Sequence, residues 1–110
     1  MDLNLDEKIA ILYALKCMML ANNVIDSAEE LFMNNVRESL NVGSKDFAKV
    51  EDISEKNAKK IFSDMSQDKK SLLADLLQKM AKADGVVDSC EKIYWAKLNG
   101  ELKLTNLSSI

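Results

Sequence analysis

The chain has no proline and no histidine, and glycine occurs only three times. Without proline, and with so little glycine, long stretches contain nothing to interrupt a helix. Without histidine, the most frequent general base and the most frequent metal-ligating imidazole are both missing, and no glycine-rich phosphate loop or nucleophile beside a base takes their place. Catalysis is therefore not expected. Arg37 is the single arginine and the formal net charge is −3, so no basic face exists to neutralise a phosphate backbone and nucleic acid is not an expected partner. Cysteine is limited to Cys17 and Cys90, with no CxxC pair, which points to neither a zinc site nor a disulfide framework. Buried, reduced thiols in a cytoplasmic protein are the expectation.

Long apolar runs are missing too. The most apolar stretch, Ile9 to Ala21, is interrupted by Lys16 and falls well short of the roughly 20 residues a membrane-crossing helix needs. The first residues, Met1-Asp2-Leu3-Asn4-Leu5-Asp6-Glu7, are acidic where an export signal carries positive charge. Neither export nor direct membrane insertion is expected.

What is present is a globular balance, 47% hydrophobic and 30% charged residues in a length of 110, enough for one domain over residues 1–110. A shift of 62 residues lays Leu15 to Val42 over Leu77 to Leu104. Leu15, Met18, Ala21, Val24, Asp26, Ser27, Glu29 and Leu40 then meet identical residues. Asn22 meets Asp84, Leu31 meets Ile93 and Phe32 meets Tyr94. Two units are too few for a solenoid, so the repeat predicts a pair of pseudo-symmetric helical hairpins.

Local signals place the turns. Gly85 can adopt the left-handed conformation that ends helices, and Asn23 is the next best residue for it. Asp26 and Asp88, each with a glutamate three residues later (Glu29, Glu91), have capping-box spacing. Helices are expected over about 6–22 and 68–84, with the turns at Asn22 to Ile25 and Asp84 to Val87 superposing. After the turns, Ala28, Leu31, Phe32, Val36 and Leu40, and likewise Cys90, Ile93, Tyr94, Leu98 and Leu102, recur at helical spacing and are expected to face inward. Ser44 and Ser54 are expected to cap a short helix near Phe47 to Val50 and a longer one carrying Ala58, Ile61, Phe62 and Met65. The fold class is all-α, a bundle of about six helices with no strands.

The phrase Ala81-Lys82-Ala83-Asp84-Gly85-Val86-Val87-Asp88-Ser89-Cys90-Glu91, followed by an amphipathic helix, resembles the signature of the tellurite-resistance TerB-like family, which includes the N-terminal domain of DjlA-type membrane co-chaperones. Ala21 to Glu29 is similar to the first half of that pattern, with Asn22-Asn23 in place of Asp-Gly. The resemblance implies a bacterial, cytoplasmic, non-enzymatic binding or scaffold domain connected with metal-oxyanion or stress resistance. It also implies a divalent cation, calcium or magnesium, on the acidic residues that fall at Asp84, Asp88 and Glu91.

Two readings of these acids stand side by side. Asp88 and Glu91 in a first helical turn cap amides and face the positive end of the helix dipole whether or not an ion is bound. Asp84 sits instead at a helix C-terminus, with Met80 and Ala81 one turn earlier, so no lysine offsets it along its own face. A hard cation would turn that cost into a gain, and a tertiary lysine contact or simple exposure would also account for it. The alternative function is a small adaptor or inhibitor that binds a protein partner without metal, self-association being open. Met33 and its repeat mate Trp95 lie beside the expected buried stripe and are the candidate anchors, against the alternative that they pack on a neighbouring helix. Lys56, Lys59, Lys60, Lys69 and Lys70 read as a solvated face, interspersed as they are with acids.

Overall fold

The computed structural model describes residues 2–21, 26–83, 85 and 87–104. Six α-helices follow one another: α1 Leu5–Met19, α2 Ser27–Ser39, α3 Ser44–Phe47, α4 Glu55–Asp64, α5 Gln67–Ala81 and α6 Ser89–Leu102. A 3₁₀ turn, Ala48–Glu51, continues α3, and there is no strand among the described residues.

The repeat holds element by element. α1 and α5 begin at residues 5 and 67 and end at 19 and 81, each offset by the same 62 residues, and α2 and α6 begin at 27 and 89. Their caps correspond as well. Asn4 and Ser66 accept from the amides of Glu7 and Lys69, at 2.8 and 3.3 Å. Asp26 accepts from Ala28 and Glu29 at 2.8 and 3.3 Å, and Asp88 from Cys90 and Glu91 at 2.7 and 3.4 Å. Leu20 and Lys82 close α1 and α5 with almost the same backbone angles, φ −93° and −96°. Asn41 and Lys103, again mates, both take left-handed conformations after α2 and α6. Gly85 is left-handed at φ +87°, as its position in the turn requires. The rest of the two turns, 22–25, 84 and 86, lies outside the described residues.

α1 and α5 form the centre. Ile11, Leu12, Leu15 and Met18 on one, and Leu73, Leu77 and Met80 on the other, have no exposed surface. Their N-terminal ends are joined by Glu7 and Lys69, whose ammonium reaches both carboxylate oxygens at 2.9 and 3.0 Å. These two residues are repeat mates, so the halves face each other across this pair. Burial alone would raise the Glu7 pKa, but the Asn4 amide and the Lys69 ammonium outweigh it and hold the carboxyl below its ordinary range. α4 lies against α1 and α6, burying Ala58 and Phe62, and Arg37 of α2 sits over the Phe47 ring at 5.1 Å.

Two sequence expectations are corrected here. Ser54 caps α4 through the Asn57 amide as expected, but Ser44 is the first residue of α3 and the cap is Gly43, which has no side chain to offer. The stripes of α2 and α6 are also rotated from the expected phase. The buried line of α6 is Glu91, Trp95, Leu98 and Leu102, while Ile93 and Cys90 are exposed. In α2 it is Glu29, Met33 and Val36, with Leu31 exposed.

Candidate functional site

The rotation decides the fate of the proposed anchors. Trp95 is fully buried and Met33 is 4% exposed, so neither lies on a face open to a partner, and the contact surface expected from them is not formed. The glutamate at the third position of each helix is buried on the same line. Glu91 and Glu29 are each 3% exposed, one turn before Trp95 and Met33 on the same helix face.

The acidic turn is only partly visible. Asp88 and Glu91 come together in a complete capping box, Glu91 Oε1 accepting from the Asp88 amide at 3.0 Å. Asp84 lies outside the described residues. Among those described, no three of the possible ligand side chains stand close enough together to hold a metal. One feature of Glu91 exceeds what a cap needs, because its second oxygen, Oε2, is buried and accepts no hydrogen bond from the described residues.

The rotated phase instead places apolar groups outside. Leu31 is 61% exposed and its mate Ile93 is 68% exposed. Ile93 is not isolated, since with Cys90 and Tyr94 of α6, and Cys17 and Ala21 of α1 and its end, it lines an open, mostly apolar groove of about 350 Å³. Cys17 is half-buried and Cys90 exposed, so only one thiol is even partly sheltered. That corrects the expectation of two buried cysteines.

Further along the same seam, where α4 joins α1 and α6, lies a smaller cleft of about 100 Å³. Tyr13, Ala58, Phe62, Tyr94 and Leu98 form its walls. Lys59 spans its rim, 2.7 Å from Glu101 and 3.2 Å from Glu55. The hydrogen bonds to Glu101 and Glu55 raise the lysine pKa, and Lys59 in turn lowers that of Glu101. Burial, with the Cys17 thiol nearby, pushes the Tyr13 hydroxyl up to about 12 and raises Tyr94 as well.

No family model, curated protein or solved structure matches this chain.

The groove was not foreseen from the sequence, although Leu31 and Ile93 were noted there as repeat mates. What conceals it is the helical periodicity, which puts Leu31 and Ile93 on the inward stripes. The lysine-rich segment is largely solvated, with Lys56 and Lys60 exposed, but Lys59 and Lys69 are drawn into ion pairs with Glu101 and Glu7. No helix among the described residues is long and apolar enough to cross a membrane.

Proposed function

We propose that this chain is a non-enzymatic, TerB-like binding domain whose working surface is the apolar groove between α1 and α6, and that its ligand there is a partner protein. The observation that carries this reading is Ile93, a large aliphatic side chain 68% exposed at the edge of a continuous apolar surface. An exposed isoleucine that borders further apolar side chains is a surface a partner can cover. An aliphatic rim around small residues such as Ala21 and Cys90 suits a helix or loop that inserts a side chain.

The test is retention of proteins from the native host by immobilised wild-type chain and by Ile93→Glu. A protein held by the wild type and released by the variant, with helicity and melting unchanged, supports the reading. Equal retention by both removes the groove from consideration. The connection with tellurite or stress resistance that the resemblance implies belongs to the same proposal, and sensitivity of a deletion strain to tellurite tests it separately.

A second reading is favoured by Glu91 Oε2. A buried carboxylate oxygen with no donor fits a cation as its missing partner, and Asp88 and Glu91, with Asp84, would be the residues that hold it. A bound divalent ion would tie the end of α5 to the start of α6. Thermal melting in calcium, in magnesium and in chelator decides this, because an ion that binds only the folded state raises the melting temperature with its concentration. Identical melts in all three solutions would end the cation reading.

A further inference from the structure

Both cysteines of the chain, far apart in sequence and carried by different helices, open onto one groove. Cys17 comes from α1 and Cys90 from the first turn of α6. Tyr94 connects them. Its hydroxyl is hydrogen-bonded with the Cys17 thiol, as is that of Tyr13. Cys90 stands four residues before Tyr94 on the same face of α6, and a tyrosine in a helix leans back over the turn N-terminal to its own Cα. The Tyr94 side chain that reaches Cys17 therefore lies over the turn that carries Cys90. Neither thiol is a product of the repeat, since the mates of Cys17 and Cys90 are Lys79 and Ala28.

The rest of the lining sets the chemistry. Besides the two cysteines it consists of Ala21, Ile93, Tyr94 and Lys97, with no carboxylate among the described residues. A hard cation, which surrounds itself with oxygen ligands, finds no anionic oxygen there. Zinc in a structural site is enclosed by a tetrahedron of ligands and would meet only the two sulfurs. A soft monovalent ion with a filled d shell is different, because thiolates select it and a pair of them, in line, completes its coordination. Binding exchanges two S–H bonds for two metal–sulfur bonds and releases both protons to water. The complex then carries one negative charge, and the Lys97 ammonium on the same groove supplies the positive charge that offsets it.

From this arrangement we propose that Cys17 and Cys90 together form a two-coordinate site for a soft monovalent ion of the copper(I) class. The bound ion ties α1 to α6 across the groove. The site shares that groove with the partner surface proposed above but does not rest on it: ion binding is read on the isolated chain, and Ile93→Glu removes neither sulfur.

The test is an anaerobic titration of the reduced full chain with copper(I), in competition with the chromophoric chelator bicinchoninate. The expected result is one ion per chain, a complex that stays monomeric, and X-ray absorption showing two sulfur neighbours and no oxygen or nitrogen. Cys17→Ser and Cys90→Ser should each weaken binding by at least about a hundredfold, more than the loss of an outer-shell partner costs. Cys90 is exposed, so serine there leaves the fold intact, and this variant decides if Cys17→Ser does not fold. Copper left wholly with the chelator, two ions per chain, a dimer bridged by copper through Cys90, oxygen or nitrogen in the copper shell, or a smaller loss in Cys90→Ser would each overturn the assignment.

Discussion

Trp95 is where a single side chain has most to say about this fold. It is fully buried, part of the core, and its indole N–H finds no hydrogen-bond acceptor among the described residues. Truncation to alanine should cost about 3–5 kcal/mol, the range for removing a large aromatic from a packed interior. Emission from this only tryptophan should be blue-shifted and protected from quenchers, which fluorescence and a denaturant titration will check together. Lys103 makes the opposite prediction. It holds φ 52°, a left-handed conformation that disfavours a residue with a Cβ, and its side chain is exposed. Lys103→Gly should therefore raise stability by about 0.5–1 kcal/mol, visible as a higher melting temperature. Glu7 sets a dependence on pH. Its folded pKa is depressed below the ordinary 4.5, so its pairing with Lys69 contributes stability that is present above the unfolded value and lost as the pH falls through the folded one. Glu7→Gln should be less stable near neutrality and should show a flatter loss on acidification below about pH 4.5.

Among the elements, α6 shows both what is readable from the chain and what is not. Its start was legible because aspartate followed three residues later by glutamate is a chemical instruction to begin a helix, and the capping box formed as that spacing predicts. Replacing Asp88 by alanine should cost about 1 kcal/mol, measured by melting, and Asp26→Ala about the same if the two hairpins are energetically equivalent. The rotation of α6 was not legible. Ile93, Tyr94 and Leu98 make as good an apolar stripe on paper as Trp95, Leu98 and Leu102, and it is the second, with Glu91, that is buried. Helix starts at Asn4 and Ser66 could have been found from the Asn4 to Glu7 spacing and from the repeat itself, since Ser66 is the mate of Asn4. The α3 cap could not, because Gly43 supplies it without a side chain.

For the molecule as a whole, the repeat explains the fold and its breaches point to function. The equivalent caps, the left-handed Asn41 and Lys103, and the facing Glu7 and Lys69 are what two copies of one hairpin require in order to pack together. The site was harder to read because it lies where the halves differ. Cys17 and Tyr94 line the groove where their repeat mates are Lys79 and Phe32, a difference visible only once the halves are aligned. Asp84, the acid that the sequence singles out most clearly, lies outside the described residues, so the cation reading rests on Glu91. The central claim is that the face around Ile93 meets a partner protein. A photo-crosslinking amino acid placed at position 93 in the native host, with the same group at the exposed Lys56 as control, tests it most directly. The account predicts one discrete protein adduct from position 93 that position 56 does not give, whereas no adduct at 93, or the same adducts from both positions, would contradict it.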